Sequence, residues 1–238
     1  MMNYSRKDIK LCAKNDLRGR WPVSIAAMLL ALFVPSMVVS LPGSVFSFGY
    51  GMAVAAEAHG IAALSYLLSL LLNLGTTYLI VAPLMMGYIY FTLRISRHQE
   101  ANALMPYRAF SSGVYGRVTL GYFMMSLFVM LWSLLFVIPG IIKSFSYAML
   151  PFIMMDDPSK GWKEALQESR AMMNGHKWEY FVLLLSFLGW LLLAAVTLGI
   201  AALYVLPYMQ QAEANFYRTL KGEALQGVTP LSYERPQM

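Results

Sequence analysis

Three long apolar runs, separated by short polar segments, dominate the pattern of the chain. Residues 22–93 contain one charged side chain, Glu57, residues 118–155 contain one, Lys143, and residues 180–212 contain none. The hydrocarbon core of a bilayer needs about 20 apolar residues per crossing helix. The first run is long enough for two crossings and a loop, and each of the others for a tight helical hairpin. The pattern therefore predicts an all-α, polytopic membrane helix bundle.

Basic side chains are concentrated in the polar segments and predict the orientation. Segments 1–21, 94–117, 156–179 and 213–238 hold 17 of the 18 Lys and Arg residues. Basic short loops stay cytoplasmic, so each apolar run should cross the membrane an even number of times. We predict six transmembrane helices in three hairpins, with both termini cytoplasmic. The rival arrangement has four helices, with one short run re-entrant or lying in the interface.

The outer turns of this arrangement fall at residues 42–60, at Pro139-Gly140 and near Leu198-Gly199. None of them contains Lys or Arg, and Lys143, just past the second turn, can snorkel outward. The first turn holds Glu57 and His59, which we interpret as loop residues rather than as a metal or proton site. A retained signal-anchor is predicted for the first helix, with cleavage near residue 40 as the alternative.

Prolines recur in the second helix of each predicted hairpin, as Pro83, Pro151 and Pro207. Membrane helices tolerate proline because neighbouring groups satisfy the freed carbonyls, and transporters use broken helices at their binding sites. Proline is also common in membrane helices in general. The stretch 61–93, which carries Pro83, is predicted as one long tilted helix, and a break within it stays open.

Two short amphipathic helices are predicted in the polar segments. In the first, over residues 4–17, Ser5 and Asp8 have capping-box spacing, and one face is apolar: Ile9, Cys12, Ala13 and Leu17. This helix is either a membrane-surface anchor or packed under the bundle. In the second, Asp157 is the predicted N-cap and Pro158 the first helical residue. Its apolar face comprises Trp162, Ala165, Leu166, Ser169 and Met173, and Asn174-Gly175 ends it.

The chain divides into a basic amphipathic N-terminal helix (1–21), a single transmembrane domain (22–220) and a flexible C-terminal tail (221–238). Its 58% hydrophobic and 13% charged residues exclude a disordered chain and argue against an ordinary soluble globule. Basic flanks facing an anionic inner leaflet account for the net charge of +6, without nucleic acid. The single cysteine, Cys12, excludes an internal disulfide.

No motif for catalysis, cofactor binding or metal binding is present. The sequence has no P-loop, GxSxG, HExxH or CxxC pattern. His59, His98 and His176 are far apart in the chain, which argues against a three-histidine metal site. We therefore expect no cofactor and no enzymatic activity. An intramembrane enzyme would need Asp156, Asp157, Glu168 and His176 to converge.

The second half of the chain carries four phrases in a distinctive order. They are IPGIIKSFSYAMLPFIMMDDP, ESRAMMNGHKWEYF, LSFLGWLLLAAVTLGI and LPYMQQAEANFYRTL. Together they resemble the bacterial integral-membrane family called domain of unknown function 975. The chain has Asp156-Asp157-Pro158 where the family has an Asp-Asn-Pro type of phrase. The positions carried over, with a possible structural or interaction role, are Pro139, Gly140, Asp157, Pro158, Ser169, Met173, Gly175, His176, Lys177, Pro207 and Tyr208.

The resemblance implies a multi-pass protein of the bacterial inner membrane with unknown biochemistry and no catalytic residues. The first functional hypothesis is a scaffold, assembly or envelope-associated factor. Its partners would be membrane lipids and a membrane protein or a second copy of the chain. The alternative, from the three prolines, is a small-molecule or lipid transporter or a lipid-handling protein.

Overall fold

A computed structural model describes residues 4–55, 58–111 and 113–228, which form helices and turns without a strand. The helices are α1 Arg6–Asp16, α2 Trp21–Ala55, α3 His59–Thr76, α4 Ala82–Ser96, α5 Tyr115–Leu135, α6 Val137–Tyr147, α7 Leu150–Asp156, α8 Trp162–Met172, α9 Lys177–Leu185, α10 Leu188–Val196 and α11 Ala202–Leu220. A π-helical segment, Thr77–Val81, joins α3 to α4, and a 3₁₀ helix, Met105–Phe110, precedes α5. The all-α prediction is confirmed.

Helix α1 begins with the capping box expected from its sequence. The Ser5 Oγ accepts a hydrogen bond from the Asp8 N–H at 3.3 Å, and the Asp8 carboxylate accepts one from the Ser5 N–H at 2.8 Å. Its apolar face is buried, with Cys12 and Ala13 fully enclosed. Helix α11 packs against it. The structure therefore favours a helix packed within the protein over a surface anchor.

The first predicted outer turn is wrong over most of its length. Residues 42–55 continue α2 as helix, and α3 packs along α2. A helix satisfies its own backbone hydrogen bonds, so a glycine- and proline-containing stretch stays helical when an apolar neighbour covers it. Helix α3 begins at His59, within the predicted turn. Glu57 lies outside the described residues.

The second apolar stretch is one continuous helical run. Residues His59–Ser96 are helical throughout, which confirms the single long helix predicted over 61–93. Just before Pro83 the helix forms a π-helical turn, in which the Ala82 N–H donates to the Thr77 carbonyl, five residues earlier. Of the other two prolines, Pro151 lies in the first turn of α7, after the break at 148–149, and Pro207 lies inside α11.

Burial separates a packed region from exposed apolar helices. Twelve of the 15 residues of α4 are buried, whereas α3, in the same helical run, buries only Ala62 among its 18. Helices α1, α7 and α11 pack against α4. We call α1, α4, α7, α8 and α11 the helical base. The exposed apolar surface of α3, α5 and α10 is the surface that a bilayer would cover.

Helix α11 lies alongside α1. The Tyr208 hydroxyl donates to the Lys10 carbonyl, and the Asn215 amide donates to Asp16. Helix α1 is in turn bent by 97° from the first part of α2.

The number of membrane-length helices is also lower than predicted. Four helical runs of the described chain have the length and composition of a membrane span: α3–α4, α5, α6–α7 and α9–α10. The number is five if α1 and the start of α2 count as one bent span. Helix α11 is not among them, because Gln210, Gln211, Glu213 and Asn215 make it too polar. The six predicted spans are therefore not confirmed.

The start of the predicted flexible tail is held by the base. Leu225 is buried, and its N–H donates to the Tyr4 hydroxyl at 3.1 Å. The sequence gives no strong signal for this contact, because Leu225 is an isolated apolar residue in a polar segment. Residues 229–238 lie outside the described part of the chain.

Candidate functional site

A buried carboxylate, Asp16, lies at the contact between α1 and α11. It accepts hydrogen bonds from the Asn215 amide at 2.7 Å and the Gln211 amide at 3.2 Å, and the His98 Nε2 lies 3.2 Å away. Burial raises the pKa of Asp16, and these neighbours, together with Arg218, oppose the rise. Removal of a buried partner leaves an unsatisfied polar group. The site therefore fixes α1 to α11.

A second ionic cluster joins the ends of α4, α7 and α11. The Arg97 guanidinium lies between Asp156, at 3.0 Å, and Glu223, at 3.1 Å. Asp156 also contacts Lys221 and accepts a hydrogen bond from the Tyr217 hydroxyl at 3.0 Å. Burial opposes ionisation of Glu223, but its bonds to Arg97 and Arg218 prevail and lower its pKa. The pairs of Arg97 with Asp156 and with Glu223 are each bidentate, which gives them a fixed geometry.

Sequence reasoning missed both clusters, although one signal was available. Asp16 follows Cys12 by four residues, which places it beside the buried face of α1. Gln211 and Asn215 are also four residues apart, which places them on one face of α11. Both face Asp16 inside the base. The pairing of Arg97 with Asp156 could not be predicted, because 59 residues separate them.

The four residues required for an intramembrane enzyme are divided among three separate sets of contacts. Asp157 and Glu168 share Lys160, at 4.0 and 2.6 Å. Asp156 is held by the Arg97 cluster, and His176 Nδ1 lies 2.6 Å from Glu179. Acid–base groups must reach one substrate directly or through a single water. Among the described residues, no group of three side chains is arranged to hold a metal ion.

The turn predicted at Pro139-Gly140 and the N-cap predicted at Asp157 lie at other residues in the structure. Pro139 and Gly140 are in the first turn of α6, and the chain reverses at Phe136, which is extended. Asp157 does not cap α8. Its carboxylate accepts from the Ser159 N–H at 3.1 Å, so it closes a local turn, and Gly161 is the N-cap of α8. Aspartate competes for nearby backbone donors in this way.

The remaining family positions lie in or beside α8, α9 and α11. Ser169 and Met173 are buried, and the apolar face of α8 packs against α7 and α5 as expected. Gly175 has φ +83°, which suits the end of a helix. His176 precedes α9, Lys177 begins it, and Tyr208 is buried.

Ser169 spans the break between α6 and α7. Its hydroxyl donates to the Ser146 carbonyl at 2.9 Å and accepts from the Met149 N–H at 3.2 Å. Both backbone groups would otherwise lack a partner where the helix is interrupted before Pro151. A single side chain of α8 therefore stabilises the interruption.

Replacement of Ser169 by Ala should destabilise the protein by about 1–3 kcal/mol, because the buried Met149 N–H and Ser146 carbonyl lose their partner. The exposed Ser111→Ala is the matched control and should change stability little. Thermal unfolding of the detergent-solubilised chain, followed by tryptophan fluorescence, measures both. Equal midpoints for the two variants would contradict the role of Ser169.

The second half of the chain matches a known protein family. The family described as protein of unknown function (DUF975) matches residues 134–224. This part of the chain is similar to that family. The resemblance seen in the sequence is thus confirmed over α6–α11. No curated protein and no solved structure matches the chain.

The ionic clusters connect the DUF975 segment to the first hundred residues. Asp156, Asn215 and Glu223 lie within the segment, whereas Asp16, Arg97 and His98 lie outside it. Each cluster combines polar side chains from both parts of the chain. The DUF975 segment is therefore built into the helical base and not attached to it as a separate unit.

The single cysteine provides a test of this packing. Cys12 is fully buried, and burial, with Asp16 nearby, raises the pKa of its thiol to about 12. Because the thiolate is the reactive form, Cys12 should not react with maleimide at pH 7 until the protein is denatured. A Leu11→Cys/Cys12→Ala variant, with its thiol at an exposed position of the same helix, should react in the folded state. Rapid labelling of native Cys12 would contradict the packing.

Proposed function

We propose that the chain is a non-catalytic integral membrane protein of the bacterial cytoplasmic membrane, a scaffold, assembly or envelope-associated factor. The helical base is the observation that carries this proposal. Its carboxylates Asp16, Asp156 and Glu223 are bonded to side chains of other elements. A group used in this way holds helices in register and is not free to exchange protons with a substrate.

The surface available to a membrane-protein partner, or to a second copy, is the exposed face of α8. The apolar residues Trp162 and Leu166 pack against the core and so do not offer a docking face. Lys163, Glu164 and Gln167 point away from it and are exposed. A polar helix face held on a rigid base suits a specific, salt-sensitive contact.

Affinity purification of the full chain from native membranes, with bound proteins and lipids both identified, tests this function. A Lys163→Glu variant should lose a protein that the unmodified chain retains. The matched control, Lys14→Glu, makes the same change at an exposed position away from α8 and should keep that protein. Retention of lipid alone, or equal loss from both variants, would contradict the scaffold proposal.

The orientation belongs to the same proposal. The contact between Tyr4 and Leu225 keeps the two ends of the described chain together, which supports both termini on one side and an even number of crossings. The basic segments make that side cytoplasmic. Fusion of a reporter active only in the cytoplasm to either terminus should give equal activity, and activity at one terminus only would contradict this orientation.

A lipid or small-molecule transporter is the second candidate, and one cavity favours it. A pocket of about 380 Å³ lies between α5 and α6, beside the break at Pro151, and is lined by Ser126, Ser144 and apolar side chains. In proteoliposomes the chain would then accelerate movement of fluorescent phospholipid between leaflets. Val129→Trp would fill the pocket and slow it. Equal rates with and without the protein would exclude this candidate.

A further inference from the structure

Three cationic side chains from three helices meet in one pocket. The pocket has a volume of about 410 Å³, within the range of small-ligand sites. Lys143 comes from α6, Arg170 from α8, and Lys177 from the start of α9. The other lining residues are Ser146, Gln167, Ala171 and Asn174. These residues are up to 34 positions apart in sequence, so only the tertiary structure assembles the site.

The positive charge of the pocket is not neutralised by the described part of the chain. The nearest carboxylates in sequence are already engaged: Glu168 lies 2.6 Å from Lys160, and Glu179 lies 2.6 Å from His176. Lys143 lies over the ring of Trp132, at 4.5 Å from its centroid. Arg170 and Lys177 add like charge beside it. An arrangement of three cations without a counter-ion favours a bound anion.

The polar groups in the pocket suit an acceptor with several oxygens. Arg170 presents a planar fork of donors, and the two lysines add point charges. The side-chain amides of Gln167 and Asn174 can each donate two more hydrogen bonds. The phosphodiester of a phospholipid offers only acceptors, two charged non-bridging oxygens and two ester oxygens, so several of these side chains can donate to it at once. A carboxylate offers two acceptor oxygens in all.

The surroundings identify the source of the phosphate. Ile142 and Trp178, the neighbours of Lys143 and Lys177, are exposed by 47% and 70%. Trp178 also packs on Phe181, which in turn contacts Phe145, so an aromatic surface continues beside the pocket. Tryptophan concentrates at the membrane–water boundary. A lipid would place its acyl chains on this surface while its headgroup occupies the pocket.

We propose that the pocket formed by Lys143, Arg170 and Lys177 binds the phosphate group of an anionic phospholipid. The proposal also corrects one expectation from the sequence. Lys143 does not snorkel to the opposite side from Arg170 and Lys177, because all three line the same cavity. The pair α5–α6 then reaches only about 10 Å beyond Lys143 to its turn at Phe136, which suits the re-entrant alternative for this pair.

Binding of short-chain lipids to the purified full chain in detergent tests the proposal. Dioctanoyl phosphatidylglycerol should bind saturably, whereas dioctanoyl phosphatidylcholine and inorganic phosphate should bind at least ten-fold more weakly. In an Arg170→Gln/Lys177→Gln variant the affinity for phosphatidylglycerol should fall on the order of 30-fold, from the usual contribution of a basic residue at an anionic surface. An Arg170→Lys/Lys177→Arg variant should keep most of the affinity.

The matched control is Arg18→Gln/Lys14→Gln, which removes two charges from exposed positions outside the pocket and away from α8. It should bind phosphatidylglycerol within about two-fold of the unmodified chain. Equal losses in the two glutamine variants would overturn the site, since non-specific surface charge would then explain the binding. Inorganic phosphate that binds as tightly as the lipid would overturn the lipid source. Size-exclusion profiles of the variants exclude misfolding as the cause of a loss.

Discussion

Replacement of Gly87 by Ala should disrupt the helical base. Gly87 lies in α4 where the 3₁₀ helix Met105–Phe110 crosses it, and an added Cβ would lie 1.9 Å from the Pro106 carbonyl oxygen. The obstructing atoms belong to the backbone, so no change of rotamer can relieve the overlap. Overpacking of a core by one methyl group costs about 1–3 kcal/mol, and more where the backbone must move. We expect a loss of at least about 3 kcal/mol, or roughly 6–12 °C in unfolding midpoint for a chain of this size.

Gly75→Ala is the matched control for this prediction. Gly75 lies in the same helical run, in α3, and a Cβ there would meet no atom within 4 Å. Alanine favours the helix over glycine, so the control should be neutral or more stable by about 0.5–1 kcal/mol. Fluorescence-detected size-exclusion after heating gives both midpoints. A similar midpoint for the two variants would show that the 3₁₀ helix does not pack on α4 as described.

Replacement of Arg97 by Gln should have the second largest effect. Arg97 neutralises both Asp156 and Glu223, and the Asp156 side chain is only 7% exposed. Loss of one partner leaves a carboxylate that is neither hydrated nor fully paired. Lys221 and Tyr217 remain beside Asp156, and the Arg97 side chain is 24% exposed, so solvent screens part of the interaction. We therefore expect a loss of about 2 kcal/mol.

A double-mutant cycle separates this pair from a general effect of charge. Arg97→Gln combined with Asp156→Asn should cost less than the sum of the single variants, because the second change removes the uncompensated carboxylate. Arg18→Gln removes an exposed guanidinium that forms no ion pair within the described residues, and it should leave the unfolding midpoint nearly unchanged. Additive losses in the cycle would show that the two side chains do not interact.

Gly87 and Arg97 both hold the helices of the base together. The base is held by a close backbone approach at Gly87 and by polar contacts between residues distant in sequence, the ion pair of Arg97 with Asp156 and the hydrogen bond from Asn215 to Asp16. Neither depends on the exposed apolar helices. A variant that weakens the base should therefore also weaken lipid binding in the α6–α8–α9 pocket, whereas the pocket variants should leave the base intact. That asymmetry distinguishes structural loss from loss of binding.

The local features of the chain were determined by its sequence. Hydrophobic period and capping chemistry act over three or four residues, so the capping box of α1, the buried face of α8 and the continuous helix through Pro83 could be predicted. The family phrases, which depend only on residue order, were likewise sufficient to identify the DUF975 segment. The expected lack of enzymatic activity stays a prediction.

The tertiary structure decided whatever depends on which helices meet. A charged or amide side chain near a helix end has the same local pattern whether it faces water or a distant partner, so Gln211 and Asn215 gave no sign that they bind Asp16. The same limit applies to the helical continuation of α2 through residues 42–55, the packing of α11 on α1 and the position of Lys143 beside Arg170. Side-chain pairing across 27 to 199 residues is set by packing, and packing is not periodic in the sequence.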